Sequence, residues 1–300
     1  MLQKADSRNA DLRVNINGDL IHRDQAGISP FDSAVQGGDA VWEGLRVYDG
    51  CIFRLEEHLD RLVGSAKALA FANIPTKDYM IAQIRKTLEA NNMRDGVHIR
   101  LTLTRGRKTT SGMDPRLNTL GYTLIVLAEW KAPVYDTGGL SMVTASIRRF
   151  PPDCLDPKIH HNNLLPSILA KIEANVAGAD SALMLDREGF IAEANGTHVF
   201  LVMNGTVCTP RTDACPEGIT RDTVLSLCAR AGIPVRVERF STTDAYRADE
   251  MFCTGTMGEL AGVTALDGRV IGDGKPGPMT ARLSALYREE VLSTGYSMFE

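Results

Sequence analysis

The spacing of apolar residues predicts a chain that mixes helices and strands. Apolar positions three and four residues apart predict helices, and alternating or β-branched runs predict strands. The Asn17-Gly18-Asp19 turn predicts a hairpin between the first two strands. The predicted helices cover residues 55–70, 77–91, 164–176, 219–231 and 277–292. The predicted strands cover residues 12–16, 20–22, 97–105, 122–129, 140–147, 181–186, 190–193, 197–203, 206–209, 233–240 and 249–254.

A break in this pattern predicts two domains. Residues 130–139 (WKAPVYDTGG) carry a proline and a glycine pair between two strong strands, which is typical of a linker. We therefore predict a small N-terminal domain over 1–130, a linker over 131–139 and a larger C-terminal domain over 140–300. The order of helices and strands favours an α+β fold.

The composition narrows the class of protein. The 300 residues are 44% hydrophobic and 23% charged with a net charge of −4, and lysine and arginine do not cluster, which excludes a nucleic-acid surface. No apolar run has the length of a membrane span, and the polar first residues lack a secretory signal. The six cysteines form no CxxC pair and no cluster with histidine, so we expect no metal and a cytoplasmic location.

Two glycine-containing turns could bind a phosphate group. Residues 216–222 (PEGITRD) lead from a glycine turn into a helix, with Thr220 as the predicted cap, and a helix start presents N–H groups and a positive dipole end. Residues 254–259 (TGTMGE) follow a strand and offer two hydroxyls. For the first segment alone, ordinary helix capping is the favoured interpretation, and the second segment alone is a weak signal.

Taken together and in order, several segments resemble the class IV, or fold type IV, aminotransferases. The C-terminal half contains GITRD, DEMFCTGTMGEL and DGRVIGDGKPGP, and upstream lie VWEGLRVYDG, EEHLDRL, LAKIEA and ALMLDREGFIAEANGTHVF. The sequences of these segments are similar to those of branched-chain and D-amino acid aminotransferases. The resemblance implies a smaller N-terminal α/β domain, a larger C-terminal domain with a barrel-like β core, a pyridoxal 5'-phosphate site between them, and a homodimer.

The resemblance also implies roles for individual residues. Glu193 would face the pyridine nitrogen of the cofactor and keep it protonated, which makes the ring an electron sink. The predicted ligands of the cofactor phosphate are Arg61, Ile219, Thr220 and Thr256, and those of the substrate are Trp42, Arg46, Arg100 and Arg105. Arg61 could instead be a solvated helix residue paired with Glu57. On a regular strand, Arg100 and Arg105 point to opposite faces, so only one would meet substrate.

The position of the Schiff-base lysine departs from the family pattern. Aligned without gaps from Asn163, the lysine position holds His160, and Lys158 lies two residues upstream. On an extended strand the two residues would share a face about 6.6 Å apart. Either Lys158 forms the Schiff base, or the site has lost its amine and His160 acts as an acid or base. Lys171, within the next helix, is a poor third candidate.

The sequence thus favours an enzyme that moves an amino group between an amino acid and a 2-oxo acid. Branched-chain substrates are the first expectation. D-amino acid transamination and aminodeoxychorismate lyase chemistry are alternatives on the same fold. A non-catalytic or cofactor-free relative that binds a phosphorylated small molecule is the alternative of another class, because of His160.

Overall fold

The chain forms two compact units. The structure, a computed structural model, describes residues 5–133 and 138–299. The N-terminal unit comprises the chain up to Ala132 together with Ile159–Asn163 and the residues from Val291 onward. The C-terminal unit comprises Pro133–Lys158 and Leu164–Glu290. Residues 134–137 of the predicted linker lie outside the described residues.

These units differ from the predicted boundaries in two places, and hydrogen bonds explain both. Residues 159–163 lie along the edge of a strand of the N-terminal unit, where the Trp42 N–H donates to the His160 carbonyl and the Asn162 N–H to the Ala40 carbonyl. At the C-terminus, Tyr296 pairs with Ile52 in an antiparallel bridge. Both segments therefore belong with the first 130 residues and not with the domain predicted over 140–300.

The N-terminal unit is an antiparallel sheet with helices packed on it. The sheet order is β16-β4-β3-β5-β6-β1-β2. The strands are β1 Arg13–Ile16, β2 Asp19–His22, β3 Ala40–Tyr48, β4 Cys51–Ile52, β5 Val97–Thr104, β6 Thr123–Trp130 and β16 Tyr296–Ser297. The helices are α1 Ser33–Gly37, α2 Leu55–Ala68 and α3 Lys77–Ala90. Leucines and isoleucines of α2 and α3 pack with β3, β5 and β6 into one buried core, which is the main stabilisation of such amphipathic helices.

The C-terminal unit is a mixed sheet with helices packed on it. Its strand order is β12-β11-β10-β13-β14-β7-β8-β9, and β15 pairs with β14. The strands are β7 Leu140–Arg148, β8 Ser181–Leu185, β9 Ile191–Ala194, β10 His198–Met203, β11 Thr206–Pro210, β12 Val235–Glu238, β13 Glu250–Gly255, β14 Glu259–Leu266 and β15 Arg269–Val270. The helices are α4 Pro152–Leu155, α5 Leu165–Val176, α6 Ile219–Arg230, α7 Thr242–Tyr246 and α8 Pro278–Ser293.

Most predicted elements are confirmed within two or three residues, and the exceptions have physical reasons. Strand β3 is buried along nearly its whole length although it contains Glu43 and Arg46, so its pattern does not alternate as a half-buried strand does. Strand β14 begins at Glu259 with a φ of 53° and contains Gly262, and both features weaken a strand signal. The segment around Lys158, expected to be extended, forms a turn.

The described residues were searched for a membrane-spanning helix and for a metal-binding group. Over 5–133 and 138–299, no helix combines the length and apolar character that crossing a bilayer requires. Within the same ranges, no three His, Cys, Asp or Glu side chains form a group that could hold a metal ion.

Candidate active site

The start of helix α6 is built to present backbone N–H groups. Gly218 is the N-cap, with extended φ and ψ of −81° and 123°, and no side chain caps the first turn. The first intrahelical bond from this cap runs from the Asp222 N–H to the Gly218 carbonyl, so the amides of residues 219–221 precede the regular hydrogen-bond ladder. The prediction that Thr220 is the cap is wrong: Thr220 is the second helical residue and is buried.

The second predicted turn lies beside the same strand as the helix start. Strand β10 pairs with β13, which places His198 opposite Thr254. The imidazole of His198 bonds to the Pro216 carbonyl at 2.8 Å, and a Cβ on Gly218 would lie 2.4 Å from its ring. At the other turn, a Cβ on Gly255 would lie 3.2 Å from the Thr197 methyl group. Residues 197–198 therefore contact both glycine turns.

A buried hydroxyl in this region lacks a protein partner. Thr254 is 1% exposed and its Oγ1 atom has no hydrogen-bond partner among the described residues. Leaving a buried polar group unpaired costs about 1–3 kcal/mol. A phosphate oxygen is an acceptor that would satisfy it, and Thr256 lies in the turn that follows, on residues 256–258. The C-terminal unit thus offers a helix start, a turn and an unpaired donor for an anion.

Glu193 is a buried carboxyl beside a half-buried arginine. It is 5% exposed on β9, and the guanidinium of Arg149 lies 2.7 Å from its Oε1 atom. Burial raises the pKa of Glu193 to about 7, although the charge of Arg149 acts in the opposite direction. Arg149 is oriented by the Ala214 carbonyl and the Ser167 hydroxyl. A carboxyl with a pKa near neutrality can share a proton with a heterocyclic nitrogen.

Arg61, the predicted phosphate ligand, belongs to a buried cluster of charged groups around Glu43. The Glu43 carboxylate is fully buried and accepts two bonds of 2.7 Å from Arg61 and contacts His58 Nδ1 at 2.6 Å. Burial alone would raise the pKa of Glu43, but the charges of Arg61 and His160 hold it well below the ordinary value. Glu57 pairs with Arg54, so the alternative of an Arg61–Glu57 pair is wrong. A phosphate role for Arg61 stays a prediction.

Lys158 does not occupy the extended conformation that was expected of it. Its backbone N–H donates to the Asp156 carboxylate in a local turn, and its Nζ atom lies 3.9 Å from the same carboxylate. The side chain is 41% exposed. Lys158 and His160 therefore do not share one face of a strand. Lys171 donates to the Asp180 carbonyl at 2.7 Å.

His160, in contrast, is fixed by several contacts. Its ring stacks on Trp42 with centroids 4.4 Å apart, and its Nδ1 atom contacts the Trp42 carbonyl at 2.5 Å. Nδ1 also lies 3.3 Å from Oε1 of Glu43. The His160 N–H donates to the Ser65 hydroxyl. This side chain has a defined place beside the Glu43 cluster.

Three of the predicted substrate residues lie on one face of the N-terminal sheet. Trp42 and Arg46 lie four residues apart on β3 and therefore share a face. Arg46 is paired in register with His98, and Gly44 with Arg100. The Arg100 guanidinium lies 3.9 Å from the Trp42 ring centroid and donates to Asn162. Burial lowers the pKa of His98 to about 3, so its ring is neutral. The face combines two arginines, an aromatic ring and a neutral imidazole.

Arg105 is separate from this face. It follows the end of β5, pairs with Asp39 at 2.6 Å, and donates to the carbonyls of Leu69 and Ala70 at the end of α2. These contacts fix a loop to a helix end and account for the residue without a ligand. A substrate role for Arg105 stays a prediction that its contacts do not favour.

Comparison with known proteins gives a consistent result for the whole chain. Residues 40–266 match the model of the amino-transferase class IV family. A branched-chain-amino-acid aminotransferase-like protein 2 of Arabidopsis thaliana is 54% identical over 94% of this chain and 50% of its own length. A putative branched-chain-amino-acid aminotransferase of Methanocaldococcus jannaschii is 39% identical, covering 96% of this chain and all of the relative. The chain spans about half the length of the Arabidopsis relative.

A solved structure agrees with this result. A branched-chain amino acid aminotransferase of T.th., complexed with N-(5'-phosphopyridoxyl)-L-glutamate, superposes with a TM-score of 0.86 at 34% identity and covers 93% of each chain. The chain therefore belongs to the class IV aminotransferase family. The predicted α+β, fold type IV architecture is confirmed, with one antiparallel sheet and one mixed sheet that forms a half-barrel.

Three residues of these arrangements were not predicted. Glu43 pairs with the predicted Arg61, Arg149 pairs with the predicted Glu193, and His58 contacts Glu43. These pairs join residues that lie 15 positions or more apart in sequence, so no local spacing could indicate them. The one available signal was an acidic residue inside an otherwise apolar strand, since a buried carboxylate requires partners.

Proposed function

We propose that this chain is a pyridoxal 5'-phosphate-dependent transaminase that moves an amino group between an amino acid and a 2-oxo acid. The observation that carries the proposal is the buried Glu193 with its pKa near 7. Such a carboxyl in a chain of this family is suited to hold a proton on the nitrogen of the cofactor ring. The relatives named above carry aminotransferase names, which supports the same class of reaction.

The residues of the C-terminal unit fit the cofactor in two respects. The amides at the start of α6, at Ile219 and Thr220, and the turn containing Thr256 would hold the phosphate, which also gives the unpaired Thr254 hydroxyl an acceptor. Glu193 would hold the ring nitrogen. When bound, the cofactor supplies the electron sink that makes the substrate Cα–H bond acidic. The fit is poorer for the amine, because Lys158 is exposed and turned toward Asp156.

For the substrate, we propose an L-amino acid of the branched-chain group as the first candidate donor, following the names of the relatives. Arg46 and Arg100 could neutralise a carboxylate on the face that also carries Trp42. D-amino acid transamination and aminodeoxychorismate lyase chemistry use the same scaffold. The first differs from this proposal in the enantiomer of the donor that reacts, and the second in the product that it forms.

The test is a paired measurement of binding and product. The purified chain is incubated with pyridoxal 5'-phosphate and filtered, and retained cofactor is read from its visible absorbance. Each L-branched-chain amino acid and its D-enantiomer is then added with 2-oxoglutarate, and the 2-oxo acid formed is quantified. We expect retained cofactor and product from the L-series. Absence of retained cofactor would contradict the proposal, and release of pyruvate from aminodeoxychorismate would assign the lyase reaction.

We further propose that two copies of the chain associate through helix α5. The outward side of this helix carries large apolar side chains at helical spacing, whereas its inward side is formed by Ala170 and Ala174 packed on β7 and β8. The exposed residues are Leu165, Ile168, Leu169, Ile172 and Val176. A two-fold contact would pack the apolar stripe of one copy against the same stripe of the other copy. Large exposed apolar patches mark association surfaces.

Replacing Ile168 and Ile172 together by glutamate is expected to convert a dimer into a monomer. Two carboxylates per copy on the stripe would face each other across a two-fold axis, and burying like charges is unfavourable. Sedimentation velocity should give twice the chain mass for the unaltered protein and the single mass for the variant. Val270→Glu is the matched control, because Val270 is similarly exposed on β15 but lies outside the stripe. A dimeric double variant would assign the contact to another surface.

For location, we propose the cytoplasm. All six cysteines are free thiols, two of them at the exposed or half-buried positions Cys154 and Cys51, which agrees with a reducing compartment.

A further inference from the structure

Arg149 reaches Glu193 across one strand of the C-terminal sheet. It follows the end of β7, and its backbone N–H donates to the Leu185 carbonyl of β8 at 2.9 Å. Glu193 lies on β9, the strand on the other side of β8. The guanidinium lies 2.7 Å from Oε1 of the carboxylate. This ion pair therefore links the end of β7 to β9, although these two strands are not neighbours in the sheet.

Two further contacts hold the guanidinium of Arg149. Its Nε atom donates to the Ala214 carbonyl at 3.4 Å, in the loop before α6, and Nη1 donates to the Ser167 hydroxyl of α5 at 3.2 Å. The Arg149 side chain is 13% exposed. A planar guanidinium whose donors are used in several directions has a defined orientation. Arg149 is therefore fixed by parts of the chain other than Glu193.

The ion pair engages one oxygen of the Glu193 carboxylate and leaves the other available. Arg149 lies at Oε1, and over residues 5–133 and 138–299 no side chain forms an ion pair or a hydrogen bond with Oε2. A carboxylate in a mostly buried site favours a donor at each of its oxygens. A protonated heterocyclic nitrogen is such a donor, and a charge-assisted bond of this kind is strong.

The other titratable groups near Glu193 add little to the effect of Arg149. Electrostatic interactions join the Cys215 thiol to Glu193, Arg149, Arg221 and Asp213. Burial raises the pKa of Cys215 far above its ordinary value, so this thiol stays neutral. Burial also raises the pKa of Glu193, and the charge of Arg149 acts against it. Without the guanidinium, the effect of burial on the Glu193 carboxyl would be unopposed.

We propose that Arg149 is a positioning residue of the transamination: it fixes Oε1 of Glu193 and so leaves Oε2 to hold the ring nitrogen of the cofactor; this inference rests on the function proposed above. Arg149 acts through Glu193 and needs no contact with substrate or cofactor. Its guanidinium also neutralises a carboxylate that would otherwise be an unpaired charge in a buried site. The carboxyl, and not the arginine, shares the proton with the ring nitrogen.

The first experiment measures the Glu193 carboxyl without cofactor. Urea unfolding from about pH 5 to about pH 9 compares the unaltered chain with Glu193→Gln, and Arg149→Met with the double variant Arg149→Met/Glu193→Gln. In the first pair, the difference in unfolding free energy should stop falling near pH 7, the pKa of Glu193. In the second pair, it should go on falling above pH 7, because the folded chain then binds the proton more tightly.

Arg148→Met is the matched control for this measurement. Arg148 is the adjacent arginine, and its guanidinium donates to the Ala145 and Ser146 carbonyls, so its removal should leave the curve of the unaltered chain unchanged. Arg149→Gln, which keeps a donor but not the charge, gives the same expectation as Arg149→Met if the methionine variant does not fold. The proposal is overturned if the difference stops falling at the same pH with and without Arg149.

The second experiment separates an action through Glu193 from an independent one. With pyridoxal 5'-phosphate bound, Arg149→Met should lower kcat about 100-fold, as a misplacement of about 1 Å does, and should change the KM for the amino donor little. Adding Arg149→Met to Glu193→Gln should cause no further loss, because no carboxylate is left to position. Arg149→Lys should recover part of the rate. A folded Arg149→Met chain with a normal kcat, or losses that multiply in the double variant, would refute the role.

The two proposals fail in different ways. If the unaltered chain retains no cofactor on filtration, the transaminase function is wrong, whereas the unfolding measurement still shows whether Arg149 controls the Glu193 carboxyl. If cofactor is retained and product forms, but Arg149→Met unfolds and reacts like the unaltered chain, the function stands and only the role of Arg149 is lost.

Discussion

Replacing Glu43 by glutamine is expected to lower the free energy of unfolding by about 3–5 kcal/mol, the usual cost of removing one partner from a buried ion pair. The carboxylate is fully buried and is the counter-ion of Arg61, which keeps only 16% of its side chain exposed. Glutamine has nearly the same shape but no charge. Arg61 would then hold a buried charge that the amide cannot neutralise.

The measurement is urea unfolding at pH 7, followed by circular dichroism. Glu57→Gln is the control on the neighbouring helix, because Glu57 pairs with Arg54 at the surface and such pairs contribute about 0–1 kcal/mol. Adding Arg61→Met to Glu43→Gln should recover part of the loss, since the unpaired charge is then gone. Equal unfolding free energies for the Glu43 and Glu57 variants would mean that water reaches the cluster.

The second large effect is expected at Glu193. Replacing it by glutamine should slow transamination by about 10²–10⁴-fold, as for other groups that control a proton in the reaction. The amide cannot carry the negative charge that keeps a proton on the ring nitrogen. Glu188→Gln is the control, because Glu188 is exposed and paired with Arg239. A fully active Glu193→Gln variant would remove the observation on which the proposed function rests.

Glu193→Gln should also change how the unfolding free energy depends on pH, and this effect can be measured without cofactor. Because the pKa of Glu193 is about 7 in the folded chain and 4.5 ordinarily, the folded chain binds this proton more tightly than the unfolded chain between those values. The stability contributed by this group is present at low pH and is lost as pH rises toward 7. The unfolding free energy of the unaltered chain should fall relative to Glu193→Gln over that range, by at most about 1.4 kcal/mol per pH unit. If the difference in unfolding free energy between the two proteins does not change with pH, Arg149 keeps the Glu193 carboxyl ionised.

The sequence could predict elements whose pattern is local. The apolar spacing of residues 55–70 indicates α2 because an amphipathic helix repeats every few residues, and the glycine before Ile219 indicates the start of α6. Ordered motifs indicated the family. Strand β3 was not among the predicted strands, because its buried Glu43 is paired with residues of α2, which no local pattern can reveal.

The candidate site was harder to predict than the fold. The placement of Lys158 assumed a regular strand, but the Asp156 carboxylate accepts the Lys158 N–H and closes a turn, a common competition by aspartate. Arg105 looked like a substrate ligand by position, yet two carbonyls and Asp39 occupy its donors. In both cases a side chain far from any periodic pattern decided the outcome.

Helix α5 packs on its own sheet with one side and exposes a second apolar side. Its alanine side fits closely against β7 and β8, and its leucine and isoleucine side is left largely exposed by the described chain. Polar substitutions on the outer side should therefore leave the interior packing unchanged, whereas a larger residue at 170 or 174 would lift the helix from its sheet. A monomeric form of the protein could be engineered by substituting the exposed positions of α5 alone.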